Sequence, residues 1–135
     1  MIVHTLNQAK AALAAAGACD VYITMRTSPG ATYYMGLTGL KAVFEEAKET
    51  YPKVKHAVVV DCGFDAALAH RAMVMGFKQI SFSGTKGMKI KLSKIGAQLS
   101  AKLVSPRIPS NAVDLSYTRQ PKKACILYLQ RGQKK

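Results

Sequence analysis

Residues 56 to 84 read HAVVVDCGFDAALAHRAMVMGFKQISFSG, and the hydrophobic period changes twice along them. HAVVVD, 56–61, is a near-continuous apolar run of strand length, the pattern of a parallel strand covered on both faces. DAALAHRAMVMG follows as an apolar helix, with Asp65 placed to cap it and Gly76 to end it. FKQISFSG, 77–84, then alternates as a strand does. Two strands joined through one helix make a βαβ crossover, which sets the strands parallel and the connection right-handed.

The same rhythm extends in both directions. LNQAKAALAAA, 6–16, is an alanine-rich helix with Gly17 read as its stop, and VYITMRT, 21–27, is a β-branched strand running into the turn Ser28-Pro29-Gly30. GLKAVFEEAKETYP puts Leu40, Val43, Phe44 and Ala47 on one helical face and Glu45 and Glu49 on the other, and Pro52 closes it. Beyond the opening stretch, a helix is expected from Lys86 to Val104, with Met88, Leu92, Ile95, Leu99 and Leu103 in one stripe. The repetition predicts an α/β fold with a parallel sheet and helices on its outer side. From Ser105 the composition changes: SPRIPSNAVD is rich in turn residues, and the run ACILYL, 124–129, reads as a final edge strand before the basic end RGQKK. The expected organisation is a repeated βα unit over 1–104 and a basic C-terminal extension over 105–135.

The chain has 135 residues, 49% of them hydrophobic and 20% charged, which suits one folded domain and excludes a disordered chain. No apolar run reaches the roughly 18 to 20 residues of a membrane span, so none is expected. Cys19, Cys62 and Cys125 are widely spaced and odd in number, which speaks against a disulfide framework or a structural zinc site and for a reducing, cytoplasmic compartment. Charge is the more informative quantity. Basic and acidic side chains cancel over residues 1–65, whereas 66–135 hold fourteen basic residues against the single acid Asp114, so the whole net +13 lies in the second half. Such asymmetry points to an anionic macromolecule or a larger protein assembly as partner. The surface expected to meet it comprises Lys89, Lys91, Lys94, Lys102, Arg107, Arg119, Lys122, Lys123 and Arg131.

The succession LNQAKAALAAA, VYITMRTSPGATYYMG, GLKAVFEEAKETYPKVKHAVVVDCG and AHRAMVMGFKQISFSG resembles the first half of a class II fructose-bisphosphate aldolase, over about residues 5 to 100. The resemblance implies a partial, half TIM-like (β/α) barrel with parallel strands, its ligand loops at the carboxyl ends of the strands. Ser28 matches the serine of the family's S-x-G-A motif near substrate, Asp61 the catalytic aspartate of Asp-His-Gly, and Gly63 the glycine of that motif. Cys62 falls where the family has a zinc-ligating histidine. The family's other two zinc histidines and its phosphate loops belong to the second half of the barrel, beyond the matched region. His4, His56 and His70 are expected at a strand start or inside a helix, at the wrong ends for ligation. A catalytic zinc needs three protein ligands, so no metal and no cofactor is expected.

The loops holding Ser28 and Gly30, Asp61 to Gly63, and Ser83 and Gly84 should share one end of the sheet, with Lys86 in GTKGMK beside them as a weak phosphate contact. Cys62 reads first as an inert buried thiol, and Asp61 as a helix cap or loop acceptor. Two functions follow. The first is a non-catalytic, aldolase-derived binding subunit whose basic half docks on nucleic acid, an acidic protein or a lipid surface. The alternative is a sugar-phosphate binder or aldolase-like lyase completed by homodimerisation, with Asp61 as acid or base, Cys62 as ligand or nucleophile, and Ser28 orienting substrate. The aromatic residues read as scattered along the chain.

Overall fold

The computed structural model describes residues 1–133; Lys134 and Lys135, in the basic end, lie outside them. In chain order the elements are β1 (Ile2–Val3), α1 (Leu6–Cys19), β2 (Ile23–Thr27), α2 (Ala31–Tyr34), α3 (Gly36–Thr50), β3 (His56–Asp61), α4 (Ala66–Val74), β4 (Gln79–Ser81), α5 (Lys86–Gln98), β5 (Lys102–Val104) and α6 (Pro121–Gln133), with a 3₁₀ turn at Leu115–Tyr117. The strands form one open, all-parallel, five-stranded sheet in the order β1-β2-β3-β4-β5. Because that order never reverses, successive right-handed crossovers stack their helices on the same face.

Register separates the two faces, since parallel partners point the same way and neighbours along a strand point opposite ways. Ile23, Met25, Val60 and Ile80 are buried in the core beneath the helices, with Val58 and Leu103 packed against it. On the other face Ile2 lies beside Arg26, Arg26 beside Val59, Val59 beside Gln79 and Gln79 beside Lys102. That polar-mixed face is crossed by the chain after β5. Arg26 Nη2 donates to the Ser105 carbonyl at 2.9 Å, and Pro109, Asn111 and Ala112 share a cleft of about 260 Å³ with Ile2, Thr24 and Arg26. The chain then reaches the outer edge of β1, where Ile2 N–H donates to the Val113 carbonyl at 2.7 Å and Ile2 pairs in parallel with Asp114.

The expected strand over 124–129 is a helix instead, α6, packed on α1. Pro121 sits at its first position, where a missing N–H costs nothing, and Cys125 is buried with Ile126 and Leu129 packed on the core, a helical spacing. A short apolar run cannot by itself distinguish the two. Leu115 and Cys125, both fully buried, join the same core as the strands.

Two boundaries also move. α1 runs through Gly17 and ends with Asp20 in the left-handed region at φ +53°, its N–H donating to the carbonyls of Ala16 and Gly17. Gly17 serves packing, since a Cβ there would lie 3.2 Å from Val54 Cγ2. The helix expected to reach Val104 stops at Gln98, and the chain turns back so close to Gly96 that a Cβ there would lie 2.6 Å from the Ala101 carbonyl oxygen. The Gly96 carbonyl accepts from Leu99 and Ala101, Ser100 turns at φ +57°, and Leu103 continues the apolar stripe from a strand. Among the described residues no helix is long and apolar enough to cross a membrane.

Candidate functional site

A parallel sheet brings the carboxyl ends of its strands to one rim. His4 follows β1, Ser28 follows β2, Asp61 ends β3 with Cys62 and Gly63 after it, Ser83 and Gly84 follow β4, and Ser105 follows β5. The loops around 28, 61 and 83 therefore share that rim.

Local chemistry fixes each of them. Thr27 Oγ1 accepts from the Asp61 N–H at 2.9 Å, extending the β2–β3 junction past its last backbone pair. Ser28 is buried, and its hydroxyl is hydrogen-bonded to that of Tyr34 at 2.8 Å. Gly30, at φ +81°, turns the chain into α2. Gly63 adopts φ +54°, and its carbonyl accepts from the Ser83 N–H at 2.7 Å, so the β3 and β4 loops are tied together. Gly84 faces the ring of Phe82, which an added Cβ would overlap; its lack of a side chain is a packing requirement. Thr85 caps α5 by accepting from the Met88 N–H at 3.3 Å, and Lys86 stands exposed in the first turn. Asp65 caps α4 by accepting from Leu68 at 3.0 Å, whereas Asp61 is half-buried at the strand end.

Cys62 points away from the rim. It is fully buried in the helix-side core, and burial, followed by the charges of Asp61 and Asp65, pushes its thiol from an ordinary 9.0 up to about 12. A thiol so raised stays protonated at neutral pH and is a poor nucleophile and ligand. Among the described residues no group of three or more His, Cys, Asp or Glu side chains is placed to hold a metal ion.

His4 departs from expectation. The two-residue strand Ile2–Val3 is too short for periodicity to reveal, and it places His4 at a strand's carboxyl end, on the rim. His4 Nε2 lies 2.7 Å from Asp114 Oδ1, and Asp114 also accepts from the Ser116 N–H at 2.9 Å and hydroxyl at 2.8 Å. Burial alone would raise the Asp114 carboxyl. The hydrogen bonds from Ser116 and His4, with the His4 charge, outweigh it and hold the pKa below its ordinary value. His56 begins β3 and His70 is exposed on α4, both as expected.

The exposed aromatic residues are gathered rather than scattered. Tyr33 and Tyr34 on α2, Phe64 after β3 and Tyr117 after Asp114 are exposed by 70%, 64%, 81% and 91%, all on rim segments, while exposed Tyr22 precedes β2 at the opposite end. Phe64 stands between Gly63 and Asp65, and Tyr117 follows a proline-rich loop; an aromatic among turn residues was the available signal. The basic residues divide. Lys86 and half-buried Lys89 open α5, exposed Lys122 and Lys123 open α6, exposed Arg119 lies between the 3₁₀ turn and α6, and exposed Arg107 belongs to the segment that crosses the polar face after β5. Lys91 and Lys94 lie further along α5, and Lys102 and Arg131 lie toward the other end, at the start of β5 and the end of α6. α5 and α6 occupy opposite ends of the helix layer, so the charge forms two blocks, one at each end of the rim. Compared with models of known protein families and with curated proteins, the chain matches none.

Proposed function

We propose that this chain is a non-catalytic binding subunit, built on a partial (β/α) barrel of the class II aldolase type, that docks on an anionic partner in the cytoplasm through its basic second half. The observation that carries the reading is the charge: the net +13 lies wholly in residues 66–135, and basic side chains stand at the rim at the start of α5, before α6 and at its start. The rim's acids are largely engaged at home, Asp65 in a helix cap and Asp114 with His4 and Ser116. Sequential parallel strands with helices on one face are the arrangement that a partial barrel requires. Residues 105–135 act in this reading as a basic extension, whose described part, to 133, crosses the sheet and packs α6 on α1.

The test is binding to heparin and to RNA as salt is raised. Contacts to a polyanion release counterions, so affinity should fall linearly on a log–log plot. Binding that ignores salt, or no binding at all, would remove the reading.

The aldolase-like alternative draws on one observation, the meeting of Ser28, Asp61 and Ser83 at one rim. It needs a second copy to complete the barrel, and the edge of β1 that a partner's β5 would join already carries Val113 and Asp114. Sugar-phosphate binding or aldol cleavage that is lost in Asp61→Asn, by a dimer, would favour it.

A further inference from the structure

The exposed aromatics and the free cations lie on the same rim, and that combination selects among anionic partners. We propose that the rim is a docking surface for single-stranded nucleic acid; the proposal narrows the anionic-partner reading above and rests on it. Tyr33, Tyr34, Phe64 and Tyr117 supply the aromatic surface, and Lys86, Arg119, Lys122 and Lys123 supply the phosphate contacts.

Bases in a single strand expose their π faces, and stacking on aromatic side chains tolerates any sequence while a basic groove tracks the backbone. Bases in a duplex are already stacked on one another, so exposed tyrosines and a phenylalanine gain nothing there. An acidic protein would meet the lysines and arginines with carboxylates, which do not stack on rings, whereas a single strand brings a stacking base with each phosphate. Tyr34 is prepared for this role: its hydroxyl is held by Ser28 at 2.8 Å while most of its surface stays open to solvent. Holding the side chain before the ligand arrives reduces the ordering cost of binding.

Charge placement agrees. Glu45, Glu46 and Glu49 all lie in the second half of α3 and Asp20 at the end of α1, toward the opposite end of the sheet, so they do not repel a polyanion on the rim. The rim runs past six adjacent chain segments, the five strands and the Val113–Asp114 segment at the β1 edge. At about 4.8 Å per segment it is about 24 Å long, which suits the short end of single-strand site sizes, about 4 nucleotides and upward. In order along it come Arg119 and Tyr117 at the β1 edge, the Tyr33–Tyr34 pair, Phe64 and then Lys86, so cations stand at both ends of the aromatic surface.

The experiment compares a labelled single-stranded RNA oligonucleotide, its duplex and heparin on the whole chain by fluorescence anisotropy, with Phe64→Ala and Tyr117→Ala as variants. Both side chains are exposed, so both variants should melt as the parent does. The expected result is tighter binding of the single strand than of the duplex, and about five-fold or greater loss in each variant. Heparin binding should be unchanged by either substitution. The chain has no tryptophan, so tyrosine emission is directly readable; it should be quenched by the oligonucleotide and not by heparin. Equal oligonucleotide affinity in parent and variants without quenching would overturn the single-strand proposal, and retained heparin binding would then leave the broader reading standing. Binding to phosphatidylserine vesicles with none to the oligonucleotide would also overturn the proposal. Loss of all polyanion binding would overturn both.

Discussion

Cys62 and Cys125 sit in the core as protonated thiols, pushed up by burial to about 12 and about 11. For Cys62, whose folded value is raised, the associated stability is complete below its ordinary 9.0 and is lost as pH rises toward about 12. In mildly alkaline buffer these two thiols should react with a disulfide reagent no faster than the protein unfolds. Rapid labelling of Cys62 in the folded chain would contradict this and return it to the list of nucleophiles. Asp114 behaves in the opposite sense. Its carboxyl is held below the ordinary 3.8, so its stabilisation is complete above that value and is lost as pH falls through the lower folded one. The difference in urea midpoint between the parent and Asp114→Asn should therefore shrink only below about pH 4; a difference that is flat or grows with acid would contradict the His4–Asp114 link. Asp65 and Asp61 were legible as acids after a strand, and Asp65 does cap the helix. The His4–Asp114 pair was not, because its partners are far apart in sequence and only the return of the chain to β1 joins them.

At the scale of elements, α1 explains its own composition. Ala9, Ala12, Leu13, Ala15 and Ala16 are all buried, because the helix lies between α3 and α6 and small side chains let its neighbours approach closely. Sequence alone gave those alanines only as helix formers. Apart from α2, whose four residues are too few to show a period, the strands and helices from 21 to 84 were legible from periodicity, since each buries one face against the next and the pattern records that burial. The end of α5 and the nature of α6 were not. Leu103 kept the helical stripe in phase by coincidence, and the apolar run 124–129 is too short to choose between periods. α6 also bears on where the fold ends. If residues 105–133 are part of one cooperative unit, Leu115→Ala should lower stability by about 2–5 kcal/mol, as for other fully buried leucines. Calorimetry should then show a single transition at lower temperature. An unchanged main transition would mean that this segment folds apart from the sheet.

For the whole molecule, the two sheet edges differ. The β1 edge is covered by Val113 and Asp114, and the β5 edge has three residues, with exposed Lys102 at its start and Pro106 and Pro109 soon after. Short length, a lysine and prolines are the features that keep an edge from pairing with another chain. The protein should therefore sediment as a monomer, and Lys102→Ile should promote self-association; a parent dimer would contradict this and strengthen the ring-closing alternative. Net charge and its confinement to the second half were legible by counting, but its division between α5, α6 and the rim, and the gathering of exposed aromatic rings there, depend on topology that no count contains. The proposed binding of a polyanion by the basic half is measured as the affinity of the intact chain for a single-stranded RNA oligonucleotide across a series of salt concentrations. With about four phosphates engaged, log affinity should fall against log salt with a slope near −3 (about −0.7 per phosphate); a slope near zero, or no measurable binding at low salt, would rule that binding out.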